Sequence, residues 1–157
     1  MATLHQNSFS VSLEDVPSAK GLSFGIVVSE WNAEITENLY KGAYDLFIAK
    51  GVLPEQIQRI TVPGSFELIY GSKFLQNQKV DAVIAIGSVI QGETKHFDFV
   101  CQATAYGIKD LNVHGEVPVI FCVLTDNTLQ QAQDRSGGKL GNKGTEAAIA
   151  AIKMARL

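Results

Sequence analysis

Two segments of the chain are continuously apolar and rich in β-branched residues, 22–29 (LSFGIVVS) and 82–90 (AVIAIGSVI). Strands that lack polar alternation are covered on both faces, as they are in parallel sheets. After the first segment, apolar residues from Ile35 to Phe47 recur at helical spacing as far as Gly51, which is typical of a helix C-terminal cap. The sequence therefore predicts a layered α/β domain.

The same alternation of strand and helix continues along the chain. It predicts strands at 22–29, 57–62, 82–90 and 117–125, and helices at 33–50, 66–76, 96–111, 128–134 and 142–155. Such a chain forms a parallel sheet with right-handed crossovers and helices on both faces. We expect one domain over residues 1–157, in which residues 1–20 form an extended arm. Around Phe9 and Val11 this arm is either a short edge strand or a frayed terminus.

The charge balance excludes several classes of partner. Only 18% of the 157 residues are charged, against about 25% in a typical soluble domain, so we expect an assembly to cover part of the surface. The net charge is −3 and no block of like charge occurs, which argues against a nucleic-acid partner or an anionic membrane. The chain shows neither a signal peptide nor a membrane-spanning run, and its cysteines and histidines lack metal-ligand spacing. We expect a cytoplasmic protein without a metal.

The usual phosphate-binding fingerprints are missing. The chain contains no G-x-x-x-x-G-K-[ST], and no G-x-G-x-x-G follows the first strand, which argues against nucleoside-triphosphate or dinucleotide chemistry. Trp31, the only tryptophan, stands instead at the carboxyl end of that strand, followed by Asn32 as the predicted helix N-cap. Trp31 is either a stacking platform for a flat heterocycle or an apolar lid on the following helix.

The segment GSVIQGETKH, from Gly87 to His96, ends a buried strand, turns at Gly92 and starts a helix with Thr94 as the predicted N-cap. The amides of Glu93 and Thr94 would then point outward at a helix N-terminus, which is an anion-binding arrangement. His96 falls in the first helical turn, where the helix dipole disfavours the imidazolium. It is either a structural residue or a neutral ring that exchanges protons near neutral pH.

Residues 135–144, RSGGKLGNKG, hold the only local excess of positive charge, with three of the thirteen basic residues. Glycines permit close backbone approach, and the basic side chains can contact phosphate. The alternative is an ordinary turn between two helices, whose cations complement the dipole of the preceding helix.

Taken together, these segments resemble the 6,7-dimethyl-8-ribityllumazine synthase family. The resemblance covers nearly the whole chain after about residue 20, with SEWNAEIT, VPGSFEL, GSVIQGETKHFDFVC, VPVIFCVLTDNTLQQAQDR and GNKGTEAA in the family's order and spacing. It implies a three-layer α/β/α sandwich with a four-stranded parallel sheet of flavodoxin-like order 2-1-3-4, and an N-terminal strand available to a neighbouring subunit's sheet. It also implies condensation of 5-amino-6-(D-ribitylamino)uracil with 3,4-dihydroxy-2-butanone 4-phosphate, with loss of phosphate and water and without a cofactor.

The resemblance implies a role for each position that matches the family's site. Contacts to the pyrimidine and its ribityl chain fall on Trp31, Asn32, Ser65, Phe66, Glu67, Ser88, Val89, Ile90, Phe121 and Lys143. Phosphate contacts fall on the amides of Glu93 and Thr94 and on Arg135, and His96 is the implied proton donor. Phe121 and Arg135 match the residues that a neighbouring subunit contributes.

A site shared in this way implies a homo-oligomer. The resemblance implies at least a pentamer, and pentamers of this family occur alone, as decamers or as hollow shells of sixty. The uninterrupted RSGGKLGNKG turn is similar to that of shell-forming members, and riboflavin synthase is a further implied partner. Two other interpretations stay open: a flavin-binding or compartment-forming relative without the synthase step, and a related flavin-pathway enzyme of the same fold. Flavin retention without turnover would indicate the first, and product identity would separate the second.

Overall fold

The computed structural model describes residues 13–157, and a parallel sheet of four strands forms its centre. The strands follow the order β2-β1-β3-β4. Their bounds are β1 (Phe24–Ser29), β2 (Ile57–Val62), β3 (Ala82–Ile90) and β4 (Val119–Asp126). Phe24 lies opposite both Ile57 and Ala82, and Ile90 lies opposite Asp126 at the carboxyl end of the sheet. The α/β fold and the flavodoxin-like strand order expected from the sequence are confirmed.

Within residues 13–157, five α-helices cover the two faces of this sheet. They are α1 (Ala33–Ala49), α2 (Leu68–Gln76), α3 (His96–His114), α4 (Leu129–Arg135) and α5 (Lys143–Met154). Helices α1, α4 and α5 pack on one face, and α2 and α3 on the other. Helix α1 ends as expected, since Gly51 has φ +91 and its amide and that of Val52 donate back to the last turn.

Each face of the sheet carries its own apolar core, because the central strands β1 and β3 point alternate side chains to opposite sides. The larger core lies under α1 and α5, where the rings of Phe24 and Phe47 stack with centroids 4.0 Å apart. The smaller core lies under α2 and α3 and includes Val27, Leu68 and Val83. The apolar runs predicted to be covered on both faces are therefore buried between two helical layers.

Several element boundaries differ from the sequence-based prediction. Helix α2 begins at Leu68 instead of residue 66, because residues 65–67 form a turn in which the Leu68 amide donates to the Ser65 carbonyl. Helix α3 continues to His114 and ends where Gly115 takes an extended conformation. Strand β4 begins only after Pro118, whose nitrogen has no hydrogen to donate.

The glycine-rich segment 135–144 is not a simple turn between helices, as one interpretation had it. Part of it forms an antiparallel hairpin of β5 (Ser136–Gly138) and β6 (Gly141–Asn142). Gly137 and Gly141 have positive φ angles of +118 and +80, which glycine adopts without strain. The hairpin joins α4 to α5 and leads into Asn142, whose side chain caps α5 by accepting from the Gly144 amide at 2.8 Å.

The start of the described chain packs against the larger core. Val16 and Ala19 are buried, and the Ala19 amide donates to the Lys50 carbonyl at 2.8 Å. The strand predicted around Phe9 and Val11 lies outside the described residues. Within residues 13–157, none of the helices combines the length and apolar character that crossing a membrane requires.

Candidate active site

The loops that leave the carboxyl ends of β1, β2 and β3 are tied together by hydrogen bonds. The Trp31 amide, after β1, donates to the Pro63 carbonyl, after β2, at 3.2 Å. The Asn32 side chain donates through Nδ2 to the carbonyl of Ser88 in β3 at 3.0 Å. Ligands of open parallel sheets bind at this edge, where the strand order reverses. Positions far apart in the sequence are thus held side by side at the expected place.

Asn32 differs from its predicted role. It stands at the N-cap position of α1, but its side chain makes no capping hydrogen bond and its backbone is left-handed, with φ 58 and ψ 49. Asparagine tolerates this conformation better than most residues. The side chain reaches Ser88 instead of the helix amides. The strained turn therefore fixes the loop that presents Trp31, whose side chain is 71% exposed.

The segment after β2 presents one buried and two exposed side chains. Ser65 is buried, and its carbonyl accepts from the hydroxyl of Thr104 in α3 at 3.2 Å. Phe66 and Glu67 are exposed. A Cβ at Gly87 would lie 2.7 Å from Ser65 Oγ, so the glycine in β3 allows the segment to sit close to the sheet. Phe66 thus offers an aromatic face, and Glu67 an acceptor, near the ends of β2 and β3.

The end of β3 contributes Ser88, Val89 and Ile90. Ser88 is buried, and its hydroxyl has no hydrogen-bond partner among the described residues. Buried hydroxyl groups are nearly always hydrogen-bonded. Val89 and Ile90 are half-buried and point to opposite faces of the sheet, because they follow each other along a strand.

The loop 91–95 and the start of α3 expose several backbone donors. The amides of Glu93, Thr94 and Lys95 make no hydrogen bond within residues 13–157. Thr94 was predicted to be the N-cap, but Lys95 occupies that position. The Thr94 hydroxyl lies one residue further out and accepts from the His96 amide at 3.4 Å. Unpaired amides at the start of a 19-residue helix form an arrangement that can accept an anion, and anion binding at this place stays a prediction.

His96 is the first residue of α3, and its side chain is exposed. Asp98, two residues on, lies with its carboxylate 3.8 Å from Lys95 Nζ. It makes no hydrogen bond to His96 within the described chain. Asp98 thus acts as a favourable acid in the first helical turn, and the imidazole of His96 is left accessible to a bound ligand.

Arg135, the last residue of α4, lies near the same edge of the sheet. Its Nη1 donates to the Gln131 carbonyl at 3.0 Å and lies 3.5 Å from Asp126 Oδ1. Asp126 ends β4, and its carbonyl accepts from the Gln91 amide at 2.9 Å. Arg135 therefore stands beside the segment that leads from β3 into the exposed amides of the 91–95 loop.

Phe121 and Lys143 are not brought to this edge within one chain. Phe121 lies opposite Ala85 in the middle of β3, so it is about 16 Å along the strand from the level of Ile90. It is 42% exposed on the edge strand. Lys143 starts α5, where its carbonyl lies 3.6 Å from Cys122 Sγ and its ammonium is 2.8 Å from both carboxylate oxygens of Glu146.

Comparison with known proteins shows the family of the chain. A family model described as 6,7-dimethyl-8-ribityllumazine synthase matches residues 21–157. The chain belongs to this family. It is 62% identical over 159 residues to the 6,7-dimethyl-8-ribityllumazine synthase of Christiangramia forsetii, covering 100% of this chain and 95% of that relative. It is 65% identical over 156 residues to that of Flavobacterium johnsoniae, covering 99% and 82%. It is 54% identical over 158 residues to the 6,7-dimethyl-8-ribityllumazine synthase of Porphyromonas gingivalis, covering 100% of this chain and 98% of that relative.

Family membership confirms the resemblance drawn from the sequence, and with it an enzyme of riboflavin biosynthesis. One charged residue near the site escaped sequence reasoning, namely Asp126. It is the last residue of β4, one position beyond the strand predicted at 117–125. Nothing in the local sequence showed that the carboxylate would be buried and face Arg135 nine residues later.

Proposed function

We propose that this chain condenses 5-amino-6-(D-ribitylamino)uracil with 3,4-dihydroxy-2-butanone 4-phosphate to 6,7-dimethyl-8-ribityllumazine, releasing phosphate and water. The observation that carries the proposal is the placement of two complementary features on adjacent strands. An exposed indole, Trp31, follows β1, and unpaired helix amides follow β3, its neighbour in the sheet. A flat heterocycle and a phosphate can therefore be bound side by side.

The pyrimidine half of the proposed site draws on the loops after β1, β2 and β3. The Trp31 indole stacks on the ring, and the exposed Glu67 accepts from ribityl hydroxyl groups. Further contacts come from Asn32, Ser65, Phe66, Ser88, Val89 and Ile90, and from Phe121 and Lys143 of the assembly. Hydrogen bonds between these loops support the proposal, because they fix the loops relative to one another before substrate arrives.

The phosphate half draws on the amides of Glu93 and Thr94 and on the Arg135 guanidinium, which by the resemblance reaches the site from a neighbouring subunit. Because backbone N–H groups bind the phosphate, the acidic side chain of Glu93 can point away from it. His96 lies next to these amides and supplies the proton that imine formation and loss of water require. The reaction needs orientation, proton transfer and stabilisation of a departing dianion, and no protein nucleophile.

We further propose that the site is completed by a second copy of the chain in a homo-pentamer, which in turn can form a sixty-subunit shell and associate with riboflavin synthase. The support is an exposed apolar face on α2 and α3, which we call the α2–α3 face. Its members are Tyr70, Phe74, Phe99, Tyr106 and Val113, each at least half exposed in the single chain. Contiguous exposed apolar side chains mark protein interfaces. We also propose a cytoplasmic location, which the two unpaired cysteines support.

A turnover assay tests the reaction. Purified protein mixed with both substrates should yield a fluorescent lumazine and one equivalent of free phosphate, above the spontaneous background. Product at the background rate would contradict the synthase, and tight flavin binding in its place would favour the flavin-binding alternative.

Substitution of Arg135 tests the phosphate half. Arg135→Ala should raise the KM for the butanone phosphate far more than the KM for the pyrimidine. Lys79→Ala is the matched control. It removes a positive charge just before β3, at the amino ends of the strands and away from the proposed site. Equal changes in both KM values for Arg135→Ala would contradict the proposed role.

Particle mass in solution tests the assembly. Light scattering should give a mass of at least five subunits for the natural chain. Tyr106→Lys should dissociate the particle, because it places a charge in the α2–α3 face. Ile48→Lys serves as the control, since Ile48 is exposed on α1 at the other face of the sheet. A monomeric natural chain would refute the proposed assembly.

A further inference from the structure

Asp126 is buried at a place where its charge is poorly balanced. Its side chain is only 6% exposed, and its Oδ2 atom has no hydrogen-bond partner among the described residues. Burial raises the pKa of this carboxyl above its ordinary value, and the Arg135 guanidinium opposes that rise. A buried carboxylate with an unsatisfied oxygen costs stability. Because burying this carboxylate destabilises the fold, packing does not explain an aspartate at position 126, and another role is needed.

The geometry of Arg135 suggests what that role is. Its Nη1 is held on two sides, by the Gln131 carbonyl at 3.0 Å and by Asp126 Oδ1 at 3.5 Å. A guanidinium carries five N–H donors, and those on Nε and Nη2 make no hydrogen bond within residues 13–157. One end of the group is thus anchored to the chain's own fold, and the other end is available to a ligand.

We propose that Asp126 is a positioning residue that holds the Arg135 guanidinium by Nη1 and so directs its remaining donors to the substrate phosphate. The inference rests on the proposed function, in which Arg135 contacts that phosphate. The 3.5 Å separation is longer than a fully formed charge-assisted hydrogen bond. Arg135 can therefore adjust to the dianion without breaking a strong ion pair.

The location of Asp126 fits this role better than a purely structural one. It ends β4 and pairs with Ile90, at the edge of the sheet where the site residues gather. The long side chain of Arg135 has many rotamers, and holding one of them costs conformational entropy on binding. An anchor that restricts the guanidinium before the ligand binds reduces this entropy cost. The effect of Asp126 should therefore appear in the affinity for phosphate and not in the rate of the chemical step.

The test compares Asp126→Asn, Arg135→Ala and the double variant in the full-length protein. The asparagine keeps the shape of the side chain and removes its charge. We expect Asp126→Asn to raise the KM for the butanone phosphate, and the inhibition constant of inorganic phosphate, by roughly three- to tenfold. The kcat and the KM for the pyrimidine should change less than twofold. Asp110→Asn is the control, since that carboxylate pairs with Lys109 on the surface of α3.

The double variant separates positioning from a structural effect. If Asp126 acts through Arg135, then Asp126→Asn should change phosphate affinity less than twofold when Arg135 is already alanine. A change of equal size in both backgrounds would overturn the proposal, and so would unchanged or tighter phosphate binding by Asp126→Asn. Asp126→Ser, which is smaller and cannot clash, must give the same result if the asparagine variant folds poorly.

The outcomes also distinguish this inference from the proposed function. If the natural chain forms no lumazine, the proposed function fails. If the natural chain is active and Arg135→Ala weakens phosphate binding, but Asp126→Asn does not, only the positioning role of Asp126 is refuted.

Discussion

Helix α5 approaches the backbone of α1 closely at Gly144, and we predict that Gly144→Ala strongly destabilises the chain. A Cβ at this position would lie 1.8 Å from the carbonyl oxygen of Leu39 in α1. The position of a Cβ is fixed by the backbone of α5, and its obstacle is a backbone atom of α1, so no side chain can turn away. The two helices would have to separate by more than about 1 Å in a close-packed core.

The size of the effect follows from two opposing contributions. Overpacking a core costs about 1–3 kcal/mol, and a backbone obstacle places this case at about 3 kcal/mol. Alanine in a helix is favoured over glycine by at most about 1 kcal/mol. The free energy of unfolding should therefore fall by about 2 kcal/mol. In a chain of this length, that change lowers Tm by roughly 4–8 °C.

Two further glycines supply matched controls for Gly144→Ala. A Cβ at Gly42 would lie 2.4 Å from Oδ1 of Asn142, a side chain that can turn away. Gly42→Ala then loses the Asn142 cap of α5, worth about 1 kcal/mol, and gains a similar amount in helix propensity. Gly92→Ala meets open space and should change stability by less than about 0.5 kcal/mol.

Urea unfolding followed by circular dichroism, at one fixed protein concentration, measures all three variants. We expect Gly144→Ala to be the only one of the three with a large loss. The packing argument would be refuted if Gly144→Ala had the same free energy of unfolding as the natural chain. It would also be refuted if Gly42→Ala lost more stability than Gly144→Ala.

Three other predictions follow from single side chains. Burial raises the pKa of Cys122 to about 12, so mass spectrometry should find it unreacted with iodoacetamide at pH 8 until urea unfolds the chain, and rapid native labelling would contradict this. Because the pKa of Asp126 is raised in the fold, its ionisation costs stability once the pH exceeds that pKa, and the cost is absent below about pH 4. Asp126→Asn should therefore be at least as stable as the natural chain at pH 8, with the difference disappearing toward pH 4 in thermal unfolding; a lower Tm at pH 8 would speak against this. Thr128→Ala should cost about 1 kcal/mol in urea unfolding, since the Thr128 hydroxyl caps α4 by accepting from the Gln131 amide, and an unchanged midpoint would show that the cap contributes nothing.

Strands were easier to predict from this sequence than caps were. The bounds of β2 and β3 match the sequence-based prediction. A continuous apolar and β-branched run marks β3, because both its faces are covered, whereas β2 is a partly exposed edge strand. Asn32 and Thr94 were both predicted as N-caps from residue type alone. Asn32 instead donates to Ser88, which is 56 residues away, and Lys95 takes the cap position in α3. A local preference of about 1 kcal/mol is easily overridden by a tertiary partner.

The charged residues of the candidate site were only partly predictable. Arg135 stood out from the sequence as part of a basic, glycine-rich segment, whereas neither the sequence pattern nor the resemblance singled out Asp126. The burial of Asp126 depends on β4 ending beside β3 and on α4 folding back over that end, which are features of the whole fold. Periodicity reports which face of one element is apolar, and it carries no information on such contacts between elements.

Several of the large exposed apolar side chains lie on α2 and α3, and their location bears on the proposed assembly. Helix α1 exposes charged residues such as Lys41 and Asp45, whereas the α2–α3 face exposes aromatic rings. Phe121 lies on the same side of the sheet as that face, because it alternates with Cys122, whose side chain packs into the core under α1 and α5. A partner on this side of the sheet can therefore contact both the α2–α3 face and Phe121. If one partner does so, Tyr106→Lys should lose the proposed contribution of Phe121 to pyrimidine binding together with the assembly.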